Sequence, residues 1–424
     1  MLDIKLIREN PEMIKKDLLR RPKFDNSIVD EVVEADTVWR EAKGQLDKLK
    51  SQKNKESKAI AEVKKSGGDI KAQIAKVREV SEAITAKNSE LKILEDARDK
   101  ILTNIPNILD PQVPTGADDE ENTLIRYHLE KPTFDFKVRN HQELCEMNGW
   151  YDMEVAAKAS GSRFYYTMKE LVLLEFALYN FVMNKLNDKG YTPVMTPPML
   201  RREVLGKSVS LDAFEEDIYK IEGEDLYLIA TSEHTLAALH MDDVISHKDL
   251  PIKYAGFSNC FRKEAGVTKD SKGIFRVHNF NKIEQFVFCK PEDSDKLHDE
   301  ITANAEEIFK DLEVHYQIVD ICSGDIGSMA TRKFDLEAWL PSQEKYREMV
   351  SASNYRDYGA RRLNCKYQTE NGSTELVHTG NSTAIALTRC MITILEQHQT
   401  EDGNVRVPVA LRPYLGGREF LIQR

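Results

Sequence analysis

The chain has no run of apolar residues long enough to cross a bilayer. Its most apolar stretch, LVLLEFALYNFVM, is broken by Glu175 and falls short of the roughly twenty residues a span needs. The N-terminal MLDIKLIREN has no apolar core of the secretory kind, so no signal peptide is expected. Cysteine is sparse and scattered. Cys145, Cys260, Cys289, Cys322, Cys365 and Cys390 form no CxxC pair, which argues against a zinc site or a disulfide framework and fits a reduced, cytoplasmic setting. Absent too are GxGxxG and GxxxxGK[ST], and with them the Rossmann and P-loop ways of holding a nucleotide.

Length and charge are what the chain does have. Its 424 residues exceed a single typical core, so at least two domains are expected. A net charge of −11 argues against nucleic-acid binding by the surface as a whole. The charge is uneven, however. Between residues 43 and 78 eleven basic residues meet four acidic ones, a local balance of +7 that leaves −18 for the rest. A basic limb on an acidic body suggests a limb that meets a polyanion.

That limb has a periodicity. Apolar or small residues recur at Ile28, Val32, Ala35, Trp39, Ala42, Leu46 and Leu49, in alternating steps of four and three, the seam of a coiled coil. The register runs on through Lys53 and Glu56 to Ile60 and Val63. SGGD at 66–69 stops the helix, and Asp69 can cap the next. A second seam at Ile70, Ile74, Val77, Ser81, Ile84, Asn88 and Leu91 completes an antiparallel hairpin, with arms on the order of 55–60 Å long. Periodicity alone suits a spacer, whose charges are its solvated face, as well as a polyanion-binding limb. The lysines crowd toward the tip, where packing does not require them, and this favours the second.

NIPNILDPQVPTGADDEEN, with three prolines and an acidic cluster, reads as a linker, so the expected domains are 1–104 and 105–424. In the second, MKELVLLEFALYNFVMNKLND is a helix with apolar residues on more than one face, expected to be buried. YTPVMTPPML reads as a strand closed by Pro197 and Pro198, and STAIALTRCMITILEQHQ as a helix capped at Asn381, Ser382 and Thr383. No βαβ units alternate. The expected class is α+β, a long helical hairpin plus a domain built on an antiparallel sheet with flanking helices.

The densest chemistry lies in FRKEAGVTKDSKGIFRVHNFNKIEQF, residues 261–286, where two strand-like ends flank a charged loop. Arg262 can fork onto a phosphate. Phe280 offers a flat face for a purine, and Arg389, in the helix after GNST, can cover the other face. Taken singly, Phe280 is more commonly a core aromatic and Arg262 a surface ion pair. Their joint occurrence in one loop-and-strand pair points to ATP.

At this point the chain resembles the seryl-tRNA synthetases, class II aminoacyl-tRNA synthetases, along essentially its full length. FRKEAG…GIFRVHNFNKIEQF resembles class II motif 2 in its seryl form. GYTPVMTPPML resembles motif 1, the dimer strand, and GNSTAIALTRCMITILE resembles motif 3. TSEH (231–234) and REMVSASNYRDYGARR match further family segments, and the hairpin resembles the family's tRNA-binding arm. TSEH in place of TAE is similar to archaeal or divergent bacterial forms.

The resemblance implies a reaction: L-serine and ATP give seryl-adenylate and pyrophosphate, and serine passes to the 3′ end of tRNA(Ser), with tRNA(Sec) a second acceptor. It implies ATP contacts at Arg262, Lys263, Glu264, Val277, Phe280 and Arg389 and along Glu348, Met349, Val350 and Ser351. Of these, Arg262, Glu264 and Arg389 would be catalytic, and Glu348 and Ser351 would hold Mg²⁺ with the ATP. Thr231, Ser232, Glu233, Arg262, Glu284 and Thr383 would form the serine pocket. Lys53, Lys55, Lys58, Lys64 and Lys65 would meet tRNA. A homodimer and a cytoplasmic setting are implied as well; zinc and a membrane are not.

No catalytic base is needed, because the serine carboxylate is itself the nucleophile; positioning and phosphate neutralisation suffice. His234, His278 and His378 are therefore read as structural. Three rivals fit less well. A paralogue loading a carrier protein would lack the hairpin and carry zinc ligands. Threonyl or prolyl enzymes extend well past motif 3. A coiled-coil scaffold with a degenerate domain would lack Arg262, Phe280 or Arg389.

Overall fold

The computed structural model describes residues 1–65, 69–208, 216–264 and 273–422. The turn expected at 66–68, the motif 2 loop at 265–272 and the stretch 209–215 lie outside the described residues. The chain divides into two compact units, Met1–Ile108 and Leu109–Arg424.

The second unit is built on one sheet of eight strands: β1 (Thr123–His128), β2 (Thr192–Met195), β3 (Ile252–Phe261), β4 (Asn279–Cys289), β5 (Tyr316–Asp320), β6 (Arg332–Leu340), β7 (Lys345–Arg356) and β8 (His378–Ala386). Their order is β1-β5-β6-β7-β8-β4-β3-β2. Every neighbouring pair is antiparallel except the last, where the edge strand β2 runs parallel to β3. Helices α5 (Glu170–Asp188), α6 (Ser294–Asp311) and α7 (Leu387–Gln397) supply Leu174, Leu178, Ile301, Ile308, Met391 and Ile394 to the main core. The α+β expectation holds. Alternation along β4 decides which side does what: Ile283 and Val287 join that core, whereas Phe286 and Phe288 join a second cluster with Leu236 and Val377.

Three local expectations are corrected. YTPVMTPPML is not one strand: Thr192–Met195 joins the main sheet, and Met199–Arg201 pairs with Leu226–Leu228 in a separate one, because Pro197 and Pro198 interrupt the ladder. Asn381, Ser382 and Thr383 do not cap a helix. They lie within β8, and the helix starts at Leu387. Finally, α5 is not wholly buried, since Leu173 and Phe176 are exposed on one of its faces. Among the described residues no helix is long and apolar enough to cross a membrane.

The first unit comprises α1 (Ile4–Glu9), α2 (Pro11–Leu18), α3 (Ile28–Lys65) and α4 (Lys71–Leu102). Lys76 Nζ lies 3.6 Å from Glu56, and the Arg98 guanidinium sits 4.7 Å over the Trp39 ring, which only antiparallel α3 and α4 permit. Buried Asp36 receives Arg8 at 3.1 Å and Arg98 at 3.7 Å, tying α1, α3 and α4 together at the base. Asp69 is not the cap expected of it: α4 begins at Lys71 behind Ile70, and the Asp69 carboxylate, one residue earlier, accepts from the Lys71 amide at 2.9 Å.

The expected seam holds on α3 from Trp39 onward, while nearer its start Val29 and Asp36 are buried beside the expected Ile28 and Ala35; on α4 it slips by one residue at alternate positions. Gln73, Val80 and Lys87 turn inward, where Ile74, Ser81 and Asn88 were expected. A heptad seam accepts three-then-four as readily as four-then-three; the Gln73 side-chain oxygen is buried in the seam, and the Lys87 ammonium pairs with Glu90 at 2.7 Å. Val80→Ala should therefore destabilise the hairpin by about 1–3 kcal/mol. Ile74→Ala, at a side chain left half exposed, should stay within about 0.5 kcal/mol. Urea unfolding followed by far-ultraviolet circular dichroism distinguishes the two registers.

Candidate active site

The site is assembled on the β4 face that carries Phe280, Lys282 and Glu284 at alternate positions. Strand pairing sets Gly256 of β3 and Thr383 of β8 on either side of Glu284. Gly256 is needed there, because a Cβ would come within 2.5 Å of Leu236. That close approach lets the segment entering the short helix Glu233–Ala237 lie directly on β3. Ser232 Oγ donates to the Gly256 carbonyl at 2.8 Å, and Thr231 Oγ1 donates to Glu284 Oε1 at 2.7 Å.

Glu284 is fully buried and fully engaged. Besides Thr231, its carboxylate accepts from Asn381 Nδ2 at 3.1 Å and Thr383 Oγ1 at 3.5 Å, and it pairs with Lys282. Glu233 lies nearby and accepts from the Tyr355 hydroxyl at 2.5 Å. Burial, and then the neighbouring Glu284 carboxylate, hold the Glu233 carboxyl above its ordinary value. Thr231, Glu233, Lys282, Tyr355 and Thr383 line a cavity of about 450 Å³, whereas Glu284, the residue they surround, has no surface of its own in it. The cavity runs into a second one lined by Phe275, Val277, Phe280, Met349, Thr388 and Arg389. The two share Arg262, Glu264, Lys282, Glu348 and Thr383, so they form one cleft.

The neck of the motif 2 loop is closed by pairing on both sides. The Arg262 amide donates to the His278 carbonyl at 3.0 Å, and His278 Nδ1 donates to the Arg262 carbonyl at 2.8 Å. His278 is therefore a structural bonder here. Arg163 adds a clasp, accepting from the His278 amide and donating to the Glu264 carbonyl, each at 3.1 Å. The Arg262 guanidinium lies 5.2 Å from the Phe280 ring centre, and Arg276 lies 3.4 Å from Glu264. Phe280 is half buried: it packs against the core and lines the cleft as well. Arg389 lies 5.0 Å over Phe275 rather than over Phe280, while its guanidinium donates to the Glu348 carbonyl at 2.8 Å.

Not every expected residue reaches the cleft. Ser232 is spent on Gly256, Val350 packs in the core, and Lys263 places its ammonium 5.9 Å from the Tyr219 ring. Conversely, Lys282, Asn381, Lys333, Asp335 and Tyr355 carry site contacts that sequence reasoning passed over. Alternation from Phe280 and Glu284 signals Lys282, and from Thr383 it signals Asn381; nothing local signals the other three. His234 is buried, which lowers it to about 3, so it stays neutral across the ordinary pH range. Burial lowers His378 too.

Glu348 and Ser351 both line the cleft. About half of the Glu348 side chain is open to it, 53% by surface. Desolvation works against its charge, but Arg389, with Lys333, Lys282 and Arg262 behind it, outweighs that and holds the carboxyl below its ordinary value. An ionised carboxylate beside a hydroxyl suits a hard cation that keeps its waters and shares a phosphate ligand. Among the described residues no three His, Cys, Asp or Glu side chains cluster as metal ligands.

A mostly antiparallel sheet that holds an arginine-rich cleft fits the class II aminoacyl-tRNA synthetases. Residues 216–398 match the family described as tRNA synthetase class II core domain (G, H, P, S and T), and residues 1–109 match the seryl-tRNA synthetase N-terminal domain. The serine–tRNA ligase of Pyrococcus horikoshii is 45% identical over 99% of this chain and 98% of its own, and that of Methanospirillum hungatei 44% identical over 99% and 100%. The crystal structure of the Pyrococcus horikoshii seryl-tRNA synthetase complexed with ATP aligns over the whole of both chains with a TM-score of 0.92 at 44% identity. The cytoplasmic serine–tRNA ligase of Naegleria fowleri in complex with AMP gives 0.87 at 38% identity, covering 100% of this chain and 99% of its own. The chain belongs to the seryl-tRNA synthetase family.

The buried acid beside the cleft has a measurable effect on stability. Burial pushes the Asp335 carboxyl up to about 7 from its ordinary 3.8, against the pull of Lys333, with Glu348 adding to the rise. A folded-state value above the unfolded one stabilises the fold below pH ~4, and that stabilisation is lost as pH rises toward 7. Asp335→Asn removes the ionisation, so its melting temperature relative to wild type should climb between about pH 5 and pH 8. Paired thermal melts at the two pH values check the direction.

Proposed function

We propose that this chain activates L-serine with ATP and transfers it to tRNA, as a serine–tRNA ligase. The carrying observation is the Glu284 cluster. A fully buried carboxylate is ringed by Thr231, Asn381 and Thr383, and two of that ring, Thr231 and Thr383, line the cleft that also holds Arg262 and Arg389. Such a polar pocket suits a small hydroxylated amino acid. The serine carboxylate attacks the α-phosphorus of ATP, pyrophosphate leaves, and the adenylate is then opened by the 3′-terminal ribose of the tRNA. Arg262 neutralises the α-phosphate, Phe280 and the Val277 backbone take the adenine, and Arg389 reaches the nucleotide from α7. Mg²⁺, held by Glu348 and Ser351, would offset phosphate charge.

In the first unit Lys55, Lys58, Lys64 and Lys65 are exposed and Lys53 is half buried on the seam. This supports a limb for tRNA(Ser), and for tRNA(Sec) by the same means. A homodimer is supported by the exposed Leu173 and Phe176 of α5 and by Met195, 75% exposed on the edge strand β2. Six buried free cysteines suit a reduced cytoplasm.

ATP–pyrophosphate exchange with each of the twenty amino acids tests the reading, and serine alone should drive it well. Alanine should be rejected by a factor on the order of 10⁴, since it leaves the pocket's polar groups unpaired. Glu284→Ala should abolish serine-dependent exchange while ATP still binds; exchange near the wild-type rate in that variant would refute the assignment.

A separate experiment addresses the limb. Changing Lys55, Lys58, Lys64 and Lys65 together to Gln should leave exchange intact while tRNA charging falls. The log–log salt dependence of tRNA binding should flatten by up to about 0.7–0.9 for each phosphate that is no longer neutralised. Charging that holds at the wild-type rate would make the hairpin a spacer.

A further inference from the structure

We propose that Tyr355 is a positioning residue for the amino-acid substrate: its hydroxyl grips one oxygen of Glu233 and so fixes how that carboxylate meets the substrate ammonium. The proposal rests on the serine-activating reading above and assigns a role to a residue that lies outside the site expected from sequence.

The geometry is specific. Tyr355 lies near the end of β7, and its ring belongs to an apolar cluster with Leu109, Val113, Ile326 and Ala330. The ring is therefore held by packing, and only 9% of the residue is exposed. Its hydroxyl donates to Glu233 Oε1 at 2.5 Å, a bond to a charged acceptor, the stronger kind. Both residues line the cavity that holds Thr231, Ser351 and Thr383. Glu233 itself lies at the start of a helix of only five residues, so the packed tyrosine is the more rigid partner of the two. A carboxylate at that place, lining the cavity beside Thr231 and Thr383, supplies what an α-amino acid needs: an anion for the ammonium group. Tyr355 turns a side chain with several rotatable bonds into a fixed acceptor, and it does so at the amino-acid end of the cleft, away from the residues that line the nucleotide end.

A pH signature follows. The groups acting on Glu233 are Glu284, Tyr355, Lys282 and Arg262. Burial and Glu284 disfavour its charge, whereas Tyr355, Lys282 and Arg262 favour it. Removing the hydroxyl withdraws one of the groups that favour the carboxylate. The pH at which Glu233 ionises then rises, and so does the acid limb of kcat/KM for serine.

The experiment is Tyr355→Phe, which deletes one oxygen and keeps the packed ring. Serine KM in pyrophosphate exchange should rise about tenfold, the equivalent of about 1.4 kcal/mol, with ATP KM and kcat within about twofold. The acid limb for serine should shift upward. In a Glu233→Gln background the same change should add less than in wild type, since the partner charge is gone. An unchanged serine KM, an unmoved acid limb, or an equal rise in ATP KM overturns the role of Tyr355. Wild-type protein without serine-dependent exchange instead overturns the reading beneath it.

Discussion

A single buried carboxylate, that of Glu284, sets the terms for the second unit. Taking an ionised carboxylate out of water costs several kcal/mol unless hydrogen bonds and a counter-charge replace its hydration. Here the replacement comes from four places in sequence: Thr231, Lys282, Asn381 and Thr383. Asn381 and Thr383 cannot be displaced by one strand position without failing, because a one-residue slip turns a side chain to the opposite face of the sheet. The registers of β3, β4 and β8 are thus bound to one another through this group. Gly256 completes the constraint by admitting the Thr231 segment close against β3.

Around that anchor the cleft is organised as alternating charge rather than as a patch of one sign. Arg262, Lys282, Lys333 and Arg389 face Glu233, Glu284, Asp335 and Glu348. Each carboxylate responds to its surroundings differently. Glu348, opened to the cleft and backed by Arg389, stays ionised, whereas Asp335, buried beside it, holds its proton to near neutrality. Fixed charges of this kind need no reorganisation when phosphates and a zwitterion arrive, and a low-dielectric cleft makes them count for more than they would in water. Such an arrangement also explains why no His–carboxylate pair is required for the chemistry.

The residues readable in the sequence were those whose type and neighbours were both unusual. Arg262, Phe280 and Glu284 sit in one short strand-loop-strand segment, so local spacing already placed them together. Asn381 was misjudged as a helix cap because Asn-Ser-Thr before an apolar run is a capping signal; its side chain instead serves Glu284, a long-range demand that outranks local propensity. Asp335 and Lys333 gave no sign at all, and Tyr355 lay in a recognised segment, REMVSASNYRDYGARR, without being marked as a site residue. They are joined to the site only by the pairing of β6 with β7 and of β7 with β8, which no local pattern encodes. The helical unit was legible in its length and along most of α3; on α4 Ile70, Val77, Ile84 and Leu91 keep their expected places, but the inward positions between them include Gln73 and Lys87, polar residues that no apolar period marks.

The same unit carries a gradient of packing along its length. On α3 the last buried residue is Leu46, and on α4 the first is Val80. Beyond them the inward positions are filled by half-buried groups such as Lys53, Glu56 and Gln73. The base, in contrast, holds Asp36 between two arginines and places Arg98 on Trp39. Local stability follows buried apolar contact, so it must fall from base to tip. A limb built this way is firm at its base and yielding where its lysines are exposed. That division suits a partner recognised by backbone charge and helical form, because phosphates along an A-form groove ask for accommodation over a long contact and not for one rigid pocket. The body solves the opposite problem. A small amino acid offers few atoms to bind, so there the structure commits its buried charges to one fixed geometry.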